Sequence, residues 1–236
     1  MRRGALCLAL AALVSSSLAQ AAADPANPTC PKALNVTTYK TMQLSLREED
    51  GLRILLAEGA IDSGLPARLQ AALKKYDPID QIWLRSPGGD ARAGTEAGKL
   101  IRQSLAFTRI PEGWACFSAC NFVFMGGRGR IVDPGGLFVV HMFTHTSDRG
   151  AIEAEVLRGT ESTVGLIGDI EQDSAMLASE DNDFLIRMGV SRKLLTDIMY
   201  RQKAVKEQGG DGSTRRCLTQ AEVFLYKVAN ARAEGK

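Results

Sequence analysis

From residue 22 onward the sequence has no apolar stretch approaching the roughly 20 residues that a membrane-spanning helix needs, so the mature chain is expected to be soluble. It has no P-loop pattern, which argues against energy-dependent unfolding by this chain, and nothing in it calls for a cofactor. It has no internal repeat and no low-complexity tract past its first residues, which excludes a solenoid. An excess of one charge is missing too. Setting aside Arg2 and Arg3 with residues 1–21 leaves 27 basic residues against 27 acidic ones, and this balance excludes a nucleic-acid groove or a polybasic membrane patch as the expected surface. Histidine occurs only at 141 and 145, so a neutral-pH base has few candidates.

What is present begins with an address. Met1-Arg2-Arg3 precedes an apolar run from Ala5 to Val14 and a Ser/Ala-rich stretch ending Leu18-Ala19-Gln20-Ala21. This is the pattern of a secretory signal peptide, too short to act as an anchor, and it predicts a periplasmic or secreted protein. Residues 22–38 read as a polar, proline-containing lead-in and residues 39–236 as one domain. Cys7 leaves with the signal, and Cys30, Cys116, Cys120 and Cys217 remain for an oxidising compartment. Three pairings are open. Cys30–Cys217, tying the two ends of the fold, with the local pair Cys116–Cys120 is the favoured one; small buried thiols are the alternative.

Periodicity gives the elements. Thr41–Leu46 and Leu52–Leu56 flank an Asp50-Gly51 turn and read as a β-hairpin. Leu65, Leu69, Ala72, Leu73 and Tyr76 fall at helical spacing, and Ile82-Trp83-Leu84 forms a short strand ending at Ser86-Pro87-Gly88-Gly89-Asp90. A helix through Ala93, Ala97, Leu100 and Ile101 follows, then strand pieces at Phe107–Ile110 and Trp114–Cys116. Ala119–Met125 reads as a helix that is apolar on every side, and Leu137–Phe143 as a strand buried on both faces, which argues for parallel pairing. Residues 150–189 are helical and charge-rich, with a weak point expected at Gly165 and Gly168. Ser191 is expected to cap a helix reaching Arg201, Gln208–Ser213 is a glycine-rich loop, and Thr219 with Glu222 forms a capping box for a last helix. Trp83 and Trp114 are expected to be core aromatics.

A hydrolytic serine needs a hydroxyl on a sharp turn, a base, and backbone N–H groups aimed at the developing oxyanion. Ser118 stands at a strand-to-helix junction, His141 sits in the apolar strand, and Gly88 and Gly89 end another strand with no side chain to block approach. Each alone is weak: a small residue at a helix start is commonly a cap, and a lone strand histidine is commonly a core residue.

Their order resembles that of the ClpP/crotonase superfamily, and in particular exported ClpP-like proteins. Ile82–Gly89 is similar to the family's Ser-Pro-Gly-Gly turn, Ala115–Gly126 to its nucleophile helix, Val139-Val140-His141 to the strand that presents its base, and Arg216–Tyr226 to its late capped helix. The resemblance implies a spiral of β-β-α units with a mainly parallel sheet and a long C-terminal helical region. It further implies Ser118 as nucleophile, His141 as base, and the N–H groups of Gly89 and Ala119 as oxyanion donors, acting on a peptide or unfolded segment through an acyl-enzyme. Asp197 is the nearest candidate for the third member, after a shift of about one residue; Asp181 and Asp183 are alternatives, as is a Ser-His dyad. Lys193 and Arg201 stand four residues either side of Asp197, so a solvated helix face is its competing reading. Residues 150–189 occupy the place of the family's oligomer-forming helix, which leaves a homo-oligomer and a solvated surface as the two outcomes.

Rival readings are a catalytically weak binding or scaffold protein of the same fold, and a crotonase-like acyl-thioester enzyme, against which stands the lack of a CoA source outside the cytoplasm. A metal held by His141 and His145 lacks a third ligand in the sequence, and the Cys116–Cys120 spacing has three intervening residues where a thioredoxin-type redox pair has two.

Overall fold

The computed structural model describes residues 23–24, 27–143, 148–202 and 215–232; the leader, His145 and the Gln208–Ser213 loop lie outside the described residues. The chain begins with β1 (Ala23–Asp24) and β2 (Asn27–Pro31), an antiparallel pair. The hairpin β3 (Gln43–Glu49) and β4 (Leu52–Glu58) turns at Asp50 and Gly51, both at positive φ, as a tight turn requires. Helix α1 (Leu65–Lys75) leads to β5 (Gln81–Arg85), and α2 (Ala91–Ser104), capped by the Asp90 carboxylate on Ala93 N–H, leads to β6 (Phe107–Ile110). Then come β7 (Ala115–Phe117), α3 (Cys120–Met125), β8 (Arg130–Val132) and β9 (Leu137–His141). Helices α4 (Arg149–Arg158) and α5 (Thr160–Met188), a π-turn at Leu194–Ile198, a 3-10 turn at Met199–Arg201, β10 (Arg215–Cys217) and α6 (Gln220–Leu225) complete the chain.

Two sheets organise these elements. The first has the order β3-β4-β5-β6-β8, antiparallel only at its opening hairpin and parallel thereafter. The second, β10-β9-β7, pairs β9 parallel with β7 and antiparallel with β10. A bridge between Ser86 and Cys116 joins the end of β5 to β7. The fold is thus mixed α/β with a mainly parallel sheet and a long C-terminal helical region, and its core runs between the first sheet, α1, α2 and α3.

Helix α3 is buried along its whole length, and α2 approaches it closely at glycine. A methyl group at Gly98 would lie 2.4 Å from Phe122 O, so any side chain there would push the two helices apart. Fully buried Arg130 ties the C-terminal segment to this core by donating to the carbonyls of Gly127, Met188, Lys227 and Val228. Burial, with the Arg102 charge added, lowers its pKa to about 10.

Four sequence expectations change. The helical region breaks at Gly159, whose φ of 112° is closed to other residues, and runs unbroken through Gly165 and Gly168. A solvated glycine inside a long helix costs only about 1 kcal/mol, too little to interrupt it. The strand carrying His141 ends there, two residues short of Phe143. The helix after Ser191 is a π-turn followed by a 3-10 turn. Trp83 is half-buried on the open face of the first sheet, between Arg47 and Arg109, and meets Trp114 edge-on at 6.3 Å. The segment before β3 is tied to the rest of the fold: Cys30 is bonded to Cys217, and Asn35 donates its side-chain amide to Gly113 O. Among the described residues no helix is long and apolar enough to cross a membrane.

Candidate active site

Three strand ends meet at one place. β7 ends at Phe117, and the chain turns through Ser118 at φ 58° before α3 begins. A left-handed backbone at a residue other than glycine is unusual, and it lifts the Ser118 side chain out of the strand direction. β9 runs parallel to β7 with Phe117 opposite Val139, so His141 extends two residues past the last pair. The result is a hydrogen bond of 2.7 Å between Ser118 Oγ and His141 Nε2. The Phe117 ring packs against the imidazole, with centroids 4.8 Å apart.

The environment favours a neutral imidazole. Burial pushes the His141 pKa below its ordinary value, and the Met142 backbone carbonyl partly opposes this. Neutral Nε2 can then accept the Ser118 proton, the arrangement that general-base activation needs.

The third strand end is that of β5. Ile61 forms a parallel bridge with Gly89: Ile61 N–H donates to Gly88 O at 2.8 Å, and Asp90 N–H donates to Ile61 O at 2.9 Å. Those two groups face Ile61, so the alternation of the backbone turns Gly89 N–H to the opposite side. Gly88 packs directly on the serine turn. A methyl group there would lie 2.6 Å from Ser118 Cβ and from Phe117 O. Ala119 N–H belongs to the first turn of α3, where N–H groups have no helical partner and the helix end favours negative charge.

A disulfide between Cys116 and Cys120 closes a short loop around Ser118, with both cysteines fully buried. The second disulfide joins Cys30 of β2 to Cys217 of β10, the strand that flanks β9.

The candidate acids lie differently. Asp197 is half-buried in the π-turn, and its Oδ1 accepts from the Thr196 hydroxyl at 3.1 Å. No described hydrogen bond joins it to His141, and no described ion pair joins it to Lys193 or Arg201. The Asp181 pKa is pushed up to about 7 by burial and the neighbouring Glu180 charge; the Tyr200 pKa is raised by burial and, less, by Asp181, and the Tyr200 hydroxyl is buried without a partner among the described residues. Asp183 is exposed. Among the described residues no cluster of His, Cys, Asp and Glu could hold a metal.

Two features escaped the sequence reading. Asn121 is a polar residue within a run read as apolar on every side, and that interruption was its visible signal. Ile61, which holds the Gly88-Gly89 turn, carried no signal because its role is played by backbone atoms.

No protein-family model matches the sequence, and no curated protein matches it. The fold is nevertheless that of the ClpP-like α/β proteins. Among solved structures, an Asn-to-Asp mutant of ClpP1 from Listeria monocytogenes superposes with a TM-score of 0.52 at 14% identity, covering 78% of this chain and 92% of that one. At that identity the likeness is one of fold.

Proposed function

We propose that the chain is an exported, ATP-independent serine peptidase acting on peptides or unfolded segments. The observation that carries this reading is the 2.7 Å bond between Ser118 Oγ and His141 Nε2 beside the Gly88-Gly89 turn in a ClpP-like fold. In the first half-reaction Ser118 Oγ attacks the scissile carbonyl, His141 Nε2 takes the hydroxyl proton, and the Gly89 and Ala119 N–H groups receive the oxyanion. The protonated imidazole then returns its proton to the leaving amine, leaving an acyl-enzyme on Ser118. In the second half, water attacks the ester with His141 again as base, releasing the acid and restoring the serine.

Export is supported by the leader-like residues 1–21 and by two disulfides in a chain of this size. Residues 39–236 form the catalytic domain in this reading, with 22–38 strapped to it through Cys30. Exposed apolar residues on α4 and α5, with Leu157 87% exposed, support a homo-oligomer.

Asp197, bonded to Thr196, is not joined to His141 by a described hydrogen bond, and this keeps the catalytically weak scaffold as the second reading. Incubating the oxidised protein with an unfolded polypeptide, without nucleotide, separates the two. Fragments released by wild type and absent with Ser118→Ala support the peptidase; an intact substrate in both supports the scaffold.

A further inference from the structure

Asn121 is one of few polar residues in the core, 4% exposed and three positions after Ser118. Its Nδ2 donates to Val139 O at 2.8 Å. Only an N–H can face a carbonyl oxygen, so this contact settles which end of the amide is which. The other end, Oδ1, is buried and has no partner among the described residues. Leaving a buried acceptor unpaired is costly, and a leucine of nearly the same size would fill the position without that cost.

What the amide does is bring two parts of the site together. Val139 O also accepts the Ser118 backbone N–H, but at 3.4 Å, the long end of the range for such a bond. The same carbonyl therefore meets the backbone of the serine turn and, more tightly, the side chain of the helix that follows it. Val139 lies two residues before His141 on β9 and is the last residue of that strand paired with β7. Beyond this point Ser118 has left the strand, and strand pairing no longer sets its distance from the histidine.

We infer that Asn121 is a positioning residue for the proposed acyl transfer: its amide tethers the serine turn to the His141 strand through Val139 O and holds Oγ and Nε2 at bonding distance. This rests on the peptidase reading for its catalytic meaning, while the tether itself is a matter of geometry. Small misplacements of a nucleophile and its base cost about 10- to 100-fold in rate, which is the scale expected here.

Asn121→Leu tests it, with Asn121→Ala as the second variant should leucine fail to fold. The readouts are Tm, the kinetics of covalent reaction with a fluorophosphonate, and a crystal structure of the variant. The expected result is an unchanged or raised Tm for Asn121→Leu, because the orphaned oxygen is gone. Its maximal rate of modification should fall about 10- to 100-fold with little change in the probe's reversible binding, and the Ser118–His141 separation should lengthen past bonding distance. A folded variant that reacts at the wild-type rate, or a rate loss explained by the unfolded fraction alone, overturns the inference. So does an unchanged Ser118–His141 distance, whatever the rate does. If wild type itself does not react, the peptidase reading fails instead, and the variant's crystal structure still decides the tether.

Discussion

Ser118 Oγ and His141 Nε2 lie 2.7 Å apart although 23 positions separate them in sequence. The pair is brought together by parallel strands β7 and β9, the second running two residues past the end of the first, and by a left-handed turn at Ser118 that no strand or helix would produce. Burial of His141 completes the relationship by favouring the neutral ring.

The first prediction concerns pH. The base form of His141 exists above its pKa, and burial moves that pKa below 6.5. The rate of Ser118 modification should therefore rise with pH, with its midpoint below the ordinary histidine value. A rate profile measured from pH 4 to 8 checks this; a midpoint above 7, or no dependence, contradicts it.

Gly88→Ala should disable the site. Its φ of 90° disfavours any side chain, and the methyl group would meet Ser118 Cβ and Phe117 O at 2.6 Å. We expect a loss of about 2–4 kcal/mol in unfolding free energy and no detectable modification of Ser118. Gly51→Ala is the control, since its φ is 77° but nothing lies within 4 Å. It should cost about 1–2 kcal/mol and leave reactivity intact.

The two disulfides should separate stability from reactivity. Cys30–Cys217 closes 187 residues and Cys116–Cys120 only 4. Loop closure alone assigns about 5 kcal/mol to the first and about 2 kcal/mol to the second. Replacing Cys116 and Cys120 together by alanine should nevertheless slow Ser118 modification more than replacing the distant pair, because only the short loop contains the serine. Urea unfolding and modification rates on the two double variants measure both effects.

Asp181 should make the protein less stable as pH rises. Its folded pKa of about 7 exceeds the model-peptide value of 3.8, so the folded chain keeps a proton that the unfolded chain releases between those values. Stability is lost across that window and stays low above it. Asp181→Asn should gain on the order of 2 kcal/mol at pH 8 and close to nothing at pH 4, and it should remove the smaller, electrostatic part of the rise in the Tyr200 pKa while the larger part caused by burial stays. Thermal unfolding at the two pH values checks the first point.

Particular residues show why some of this was legible in the sequence. The hairpin was readable from Asp50-Gly51 and the last helix from Thr219 and Glu222, because turn and cap chemistry acts over three or four residues. Ser118, His141 and Gly88-Gly89 were readable only through their order. Asn121 was not, because its value depends on a carbonyl 18 residues away. The helix break fell at Gly159 instead of Gly165 or Gly168 because glycine permits a break without imposing one. Trp83 looked like core, yet its face of the sheet is covered by arginines instead of a helix.

The most direct test of the central claim is peptide-level mass mapping of the oxidised, folded protein after exposure to a fluorophosphonate. The account predicts one adduct, on Ser118, that disappears in Ser118→Ala and slows sharply in His141→Ala. Folded wild-type protein that acquires no adduct at Ser118, or acquires it equally in His141→Ala, would contradict it.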